Sequence, residues 1–342
     1  MADDIITLGH GSGGILGHEL VSRLFLKHFS DPLLGGLEDA SLIGLDDGDG
    51  RLAGQPVFTT DSYVIHPLFF PGGDIGKLAV CGTVNDLAMR GARPMYLSAG
   101  FILEEGFPLA DLERIAASMA ETARVAGVRI VTGDTKVVER GKGDGVFINT
   151  AGIGLVPHGI QISGAGVQPG DVLLLSGAVG DHGLAIMTQR EGLRFESPLR
   201  SDCAPLNGLV AAMLDVCPRI HTLRDPTRGG LATTLNELAD QSQVGIEINE
   251  DAVPVHEAVR AASEVLGLDP LYVANEGKLI AAVPADEAEA VLRAMRAHPL
   301  GAESAVIGRA TDRHPGRVTL RTILGTHRLL DMLAGEQLPR IC

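Results

Sequence analysis

The segment Met95-Tyr96-Leu97-Ser98-Ala99-Gly100-Phe101-Ile102-Leu103 is followed, after a helical stretch, by Val128-Arg129-Ile130-Val131-Thr132-Gly133-Asp134-Thr135-Lys136-Val137-Val138. Both runs are apolar and strand-like. Between them, residues 109–126 repeat apolar positions every three or four residues, and Gly127 stops the pattern as a helix terminator does. Strand, helix, strand points to an α/β fold. Upstream, residues 74–89 read as a helix ended by Gly91, and residues 57–60 as a strand that stops at Asp61. Further upstream a glycine-rich segment, Gly9 to Gly14, precedes a helical pattern over residues 15–28. Downstream, residues 146–156 read as another strand.

Around residues 163–170 the chain turns small and loop-like, in Ser163-Gly164-Ala165-Gly166-Val167-Gln168-Pro169-Gly170. A second alternating series then begins. Strands are expected at 171–176, 245–249, 278–283, 305–309 and 318–323. Helices are expected at 184–190, 206–216, 231–242, 255–266 and 285–296. The reading is two α/β domains, 1–158 and 159–325, and a mobile tail, 326–342, that ends on Cys342.

The 342 residues are 45% hydrophobic and 21% charged, enough for two buried cores. Only 4% are aromatic and none is Trp, so those cores are built from aliphatic side chains. A net charge of −15 argues against nucleic acid as the main partner. No run is long enough for a membrane span. The start, Met1-Ala2-Asp3-Asp4, lacks a basic region before an apolar one, so a cytoplasmic protein with reduced thiols is expected. The four cysteines, Cys81, Cys203, Cys217 and Cys342, form no Cys-x-x-Cys pair that would suggest a zinc site. Cys342 is not four residues from the end, which excludes prenylation.

Gly9-His10-Gly11-Ser12-Gly13-Gly14 has the spacing of a dinucleotide loop, but residues 30–36 form a turn where that fold needs a second strand ending in an acid. A plainer reading is a flexible loop whose N–H groups face a phosphate. No Walker pattern surrounds Gly76-Lys77. Acids stand where apolar patterning leaves no place for them. Asp61 and Asp134 close apolar strands, Asp86 shares a helix face with Gly82 and Leu78, and Asp39 precedes a strand expected over residues 40–45. Each alone reads equally as a cap or turn acid. Together they suit a Mg²⁺–phosphate site, because Mg²⁺ takes oxygen ligands and bridges phosphates. Lys136 shares a strand face with Asp134 and reads either as a solvated lysine or as a phosphate partner. Glu276, in Asn275-Glu276-Gly277, precedes the strand expected at 278–283 and reads either as an ordinary turn acid or as a site acid at a strand end. His182 reads as a helix-start residue or a site residue. Arg224-Asp225-Pro226-Thr227-Arg228-Gly229-Gly230 opens a helix and reads as an anion site or a packing motif.

These residues carry a resemblance. Gly9 to Gly14, Thr59-Thr60-Asp61-Ser62, Cys81-Gly82-Thr83-Val84-Asn85-Asp86-Leu87-Ala88-Met89-Arg90-Gly91-Ala92, residues 132–138, Asn275-Glu276-Gly277-Lys278 and the terminal Pro339-Arg340-Ile341-Cys342 resemble a family throughout the chain. It is the HypE family of hydrogenase maturation factors, carbamoyl dehydratases within the PurM-like, AIR synthetase-like ATP-binding superfamily. The resemblance implies a two-domain α/β fold whose N-terminal sheet joins that of a second subunit in a dimeric barrel. It implies that the carbamoyltransferase HypF loads a carboxamide onto Cys342. ATP-dependent dehydration then makes a thiocyanate, whose cyano group passes to iron on a HypC–HypD scaffold for the [NiFe]-hydrogenase centre. It further implies ATP contacts from Gly11, Ser12, Gly13, Asp61, Asn85, Asp86, Asp134 and Thr135. Mg²⁺ is implied at Asp39, Asp61, Asp86 and Asp134, and proton transfer at Lys136 and Glu276. Selenophosphate synthetase and thiamine-phosphate kinase share the superfamily without explaining a terminal cysteine. A metallochaperone using Cys342 is the alternative from another class.

Overall fold

In a computed structural model of the chain, residues 5–11, 15–35, 43–45, 54–193, 199–333 and 341–342 are described. Near the N-terminus, α1 (Ile15–Leu20), a π-wound turn at Val21–Phe25 and α2 (Leu26–His28) stand where the pattern predicts one helix, and α3 (Pro32–Gly35) follows. Asp39, Ser12 and Gly13 lie outside the described residues, as do residues 40–42 of the strand expected over 40–45. Residues 43–45 join no ladder.

The first domain continues with β1 (Gln55–Tyr63), a small hairpin of β2 (Phe69–Phe70) and β3 (Gly73–Asp74), and α4 (Ile75–Met89). Then come β4 (Arg93–Glu104), α5 (Leu109–Ala126), β5 (Arg129–Val138) and β6 (Val146–Val156). The sheet order is β1-β6-β4-β5. Strands β4 and β5 are parallel neighbours, so α5 is the crossover that the strand–helix–strand pattern predicts. Asp74 caps α4, its Oδ1 accepting from the N–H groups of Gly76 at 2.8 Å and Lys77 at 3.0 Å. The helix is apolar all round and almost wholly buried, as a central element must be. Leu78, Val80, Val84 and Leu87 are fully enclosed, and each stabilises the fold by about 2 kcal/mol. Close approach to the sheet needs Gly82: a Cβ there would stand 2.3 Å from the Tyr63 hydroxyl.

The strand end expected at Asp61 falls later, since β1 runs on to Tyr63; β5 ends at Val138 as its run predicts, with Asp134 inside it rather than closing it. Both acids therefore sit within strands, where pairing rather than chain direction sets their surroundings. Register then separates them. Asp61 pairs with Thr150 and Thr150 with Ala99, on the face covered by α4. Asp134 pairs with Gly100 and Lys136 with Ile102, on the opposite, open face. Neighbours across a sheet share a face and successive residues alternate. The open face also carries Phe58 and Ile102, 66% and 45% exposed.

The second domain contains β7 (Val172–Leu175), α6 (Asp181–Arg190), α7 (Asn207–Val216), β8 (Thr222–Arg224) and α8 (Gly230–Ser242). It continues through β9 (Gly245–Asn249), α9 (Glu257–Leu266), β10 (Ile280–Val283), α10 (Ala288–Ala297), β11 (Ala305–Thr311), β12 (Val318–Arg321) and β13 (His327–Leu329). The described sheet order is β13-β12-β9-β11-β7-β10-β8. Leu231, Leu235 and Leu238 of α8 join a core with Ile246, Ile248, Ile307 and Leu320. Leu209 and Met213 of α7 and Val291 and Met295 of α10 pack with Leu174, Ala281 and Val283 in another. Residues 327–329, read from sequence as the start of the tail, pair with β12, and the Leu330 N–H donates to Val318 O at 2.9 Å.

The domains meet through α4. Ala88 and Met89 join the core of α7 and α10, while Ile186, Cys203, Ala274 and Ile341 join the core of the first domain. Ser201 N–H donates to Pro71 O at 2.8 Å, and a Cβ on Gly72 (φ +97°) would meet Ser201 backbone at 2.6 Å. This seam positions the candidate site.

Candidate active site

Asn85 and Asp86 are consecutive on α4 but face different neighbours. Asn85 is buried, with Nδ2 donating to Ala204 O at 3.2 Å and Glu276 O at 3.4 Å, while its Oδ1 accepts from Leu206 N–H at 2.8 Å. Its amide thus ties the two domains together rather than opening toward a ligand. Asp86 turns to β1, where Thr59 Oγ1 donates to its Oδ2 at 2.9 Å. Burial holds the Asp86 carboxyl above its usual range, the Thr59 hydrogen bond opposes this, and nearby Asp61 adds to it.

Asp225, in the turn before α8, faces the same acids. Burial, then the charge of Asp86, pushes its carboxyl up to about 7. The turn is tight against the segment leading to Glu276: Gly229 and Gly230 have φ of 77° and 61°, and a Cβ on Gly230 would stand 2.6 Å from Val273 O.

Glu276 sits in the connection before β10, four residues ahead of that strand. Its neighbour Asn275 donates through Nδ2 to Pro226 O at 2.9 Å and accepts from Gly180 N–H at 2.8 Å. Glu276 N–H donates to Asp202 Oδ1 at 3.0 Å, and Lys278 pairs with Asp202 at 3.1 Å. Gly277 is required by the close passage of the 201–204 segment, since a Cβ would meet Asp202 O at 1.9 Å. Glu276 is only 4% exposed, and its Oε1 is buried without a hydrogen-bond partner among the described residues. Burial first, then Cys203, Asp225, Asp202 and Asp61, hold its carboxyl well above the usual range. A buried, unpaired carboxyl oxygen among acids is costly to maintain and marks a candidate proton carrier.

The chain end enters this cleft. Ile341 is buried, its carbonyl meets His182 Nε2 at 2.6 Å, and Val64 N–H donates to Cys342 O at 3.3 Å. Burial, then the Glu276 charge, pushes the Cys342 thiol up to about 12, with Arg228 opposing and Asp61 adding. Cys342, Glu276, Asp61, Asp86, Asp225 and Arg228 therefore share one electrostatic neighbourhood. Asp225 and Arg228 come from the Arg224-to-Gly230 turn, read from sequence as an anion site or a packing motif, and His182 from a helix start read as a site residue or not; all three lie at this cleft.

The other predicted residues lie apart. Both Lys136 hydrogen bonds to Asp134 measure 2.7 Å, and the pair is exposed on the open face; Lys136 draws the Asp134 carboxyl below its usual range. Thr135 N–H donates to Asp134 Oδ1 at 2.9 Å. Gly11 ends a 3-10 turn, Leu8–Gly11, that packs on β5. Within one chain the Asp134–Lys136 pair is on the opposite sheet face from Asp61 and Asp86. Among the described residues no three His, Cys, Asp or Glu side chains are gathered closely enough to enclose a metal ion, and no helix is long and apolar enough to cross a membrane.

Two family descriptions match this architecture. AIR synthase related protein, N-terminal domain, matches residues 38–156, and AIR synthase related protein, C-terminal domain, matches residues 168–321. They define a two-domain α/β protein of the AIR synthase-related class. Carbamoyl dehydratase HypE of Azotobacter vinelandii is 58% identical over 337 residues, 98% of this chain and 97% of that protein. A crystal structure of hydrogenase maturation protein HypE in complex with ATP is 54% identical with a TM-score of 0.93, covering 98% of this chain and 99% of that one. A HypE–HypF complex contains a chain 49% identical, with a TM-score of 0.79 and coverage of 92% and 99%. The chain belongs to the HypE family of carbamoyl dehydratases, enzymes of hydrogenase maturation.

Proposed function

We propose that the chain dehydrates an S-carboxamide on its own Cys342 to a thiocyanate at the expense of ATP. The observation that carries this reading is the docking of the terminal cysteine beside buried Glu276, whose Oε1 has no hydrogen-bond partner among the described residues. ATP binding is supported by the ATP complex of the similar HypE structure. Asp61 and Asp86, with Asp225 behind them, suit Mg²⁺, which commonly takes one or two carboxylates and completes its shell with phosphates and water. Bound there, ATP and Mg²⁺ supply a phosphoryl group and neutralise its charge.

The chain's residues then handle position and protons. The docked tail brings the carboxamide to Glu276. Carboxamide oxygen forms a bond to the γ-phosphorus as the bond to ADP breaks, and one N–H proton passes to the Glu276 carboxylate. A carboxylate with a raised pKa is a stronger base, suited to this transfer. The C–O bond then breaks, phosphate leaves with the second N–H proton, and S–C≡N remains. With its thiol pushed up to about 12, docked Cys342 is a poor nucleophile. Carbamoyl loading therefore belongs to an undocked tail. HypF as carbamoyl donor is supported by the HypE–HypF complex of the similar chain. Delivery of the cyano group to iron on a HypC–HypD scaffold completes the proposal.

The exposed Phe58 and Ile102 support a homodimer sealed on the open face, as a shared barrel. The role of Asp134 with nucleotide, and of Lys136 in proton transfer, would then be exercised at that seam, while Thr135, next in the strand, stands on the opposite face. Incubation with HypF and its carbamoyl donor, followed by peptide mass mapping, tests the reading. The carbamoyl group is expected on Cys342; its appearance on Cys81, Cys203 or Cys217 would overturn the tail as substrate carrier.

A further inference from the structure

His182 is the second residue of α6 and is fully buried. Its two ring nitrogens are both engaged, and the engagement has a direction. Cys203 N–H donates to Ser201 Oγ at 3.1 Å, so that hydroxyl has its own hydrogen free to donate. Ser201 Oγ lies 2.8 Å from His182 Nδ1, and His182 Nε2 lies 2.6 Å from Ile341 O. A carbonyl oxygen only accepts, so Nε2 carries the proton. Burial holds the ring below its ordinary pKa, against the opposing charge of Asp202, so the ring is neutral and Nδ1 accepts from Ser201. The network assigns one tautomer. Phe70 fixes the ring from the side, edge-on at 5.6 Å with an interplanar angle of 88°. Ser201 is itself held to the first domain through Pro71. The relay therefore runs from the domain seam, through one imidazole, to the penultimate residue of the chain.

We propose that His182 is the positioning residue that latches the C-terminal dipeptide into the cleft, donating Nε2–H to Ile341 O while Ser201 holds the tautomer. This rests on the reading of the docked tail as the reactive state, but docking itself is measured separately from the chemistry. The latch grips backbone and leaves the Cys342 side chain free to carry any modified form. The other hydrogen bond described for the dipeptide, Val64 N–H to Cys342 O at 3.3 Å, is longer, so release of His182 leaves the Ile341 side chain in the first domain's core as the main remaining hold. His182 touches no reacting atom and acts through the placement of Cys342.

The test is the rate of Cys342 alkylation by iodoacetamide on the native full chain, located by peptide mass mapping. His182→Leu removes the donor and keeps an apolar side chain. It is expected to raise Cys342 alkylation about tenfold, the equivalent of one buried hydrogen bond of about 1.4 kcal/mol. Cys81, Cys203 and Cys217 should stay protected, which shows an intact fold. His182→Gln, whose amide N–H can reach toward the same carbonyl, should recover part of the protection, which a purely space-filling role would not produce. Unchanged Cys342 alkylation in His182→Leu with the other three protected overturns the latch. Should that variant expose the buried cysteines, nitrogen NMR of histidine-labelled wild-type protein decides. A slowly exchanging Nε2–H on neutral His182 supports the latch, and an Nδ1–H tautomer overturns it. Protected Cys342 together with failed dehydration would overturn the proposed reaction and leave the latch standing.

Discussion

Glu276 is buried near the charge of Asp225, Asp225 lies partly buried beside Asp86, and both carboxyls keep their protons longer than free acids do. For Glu276 the consequence is catalytic. Glu276→Gln preserves shape but cannot accept a proton, so dehydration should slow by about 10²- to 10⁴-fold while ATP binding is unchanged. Normal thiocyanate yield from that variant would remove Glu276 from the chemistry. For Asp225 the consequence is stability. The folded chain binds its proton up to about pH 7, whereas the unfolded chain releases it near the ordinary value of 3.8. The contribution is therefore fully present below pH 3.8 and is lost as pH rises toward 7, by about 4 kcal/mol at most. Asp225→Asn should flatten the fall in melting temperature between about pH 5 and pH 7.5. An unchanged slope would contradict the burial of that charge. The acids were legible in the sequence because they interrupt apolar runs. His182 was legible only as one of two readings, because a histidine at a helix start gives no periodic signal of its burial against the chain end.

At the scale of elements, α4 and β1 depend on the absence of a side chain at Gly82. Gly82→Ala should destabilise by about 1–3 kcal/mol, because its Cβ would press on the Tyr63 hydroxyl within a fully packed layer. Removing that hydroxyl in Gly82→Ala/Tyr63→Phe should recover part of the loss in thermal melts. Equal stability of Gly82→Ala and wild type would disprove the close approach. The long elements from α4 to β6 were legible, since their apolar periods are sustained and glycines punctuate them. Strands β2, β3, β8 and β13 span two to three residues each, too few to show a period. Register was also hidden. Nothing in the local pattern of Asp61 and Asp134 says that strand pairing puts them on opposite faces of one sheet.

At the scale of the molecule, two domains close around the end of their own chain, and among the described residues the first domain leaves Phe58 and Ile102 exposed on one sheet face. Phe58→Asp places a charge in the centre of the proposed barrel seam and should convert a dimer to monomers in sedimentation. A monomeric wild type, or a dimer that persists with Phe58→Asp, would contradict that seam. Net charge −15 does not oppose association there, because Phe58 and Ile102 provide apolar contact and Lys136 pairs with Asp134 on the same face. The central claim concerns the docked tail, and the intact mass of the carbamoylated full-length chain before and after ATP tests it most directly. The account predicts an ATP-dependent loss equal to one water, confined to Cys342 and absent from Cys342→Ala. A carbamoylated Cys342 whose mass stays constant while ATP is consumed would contradict it.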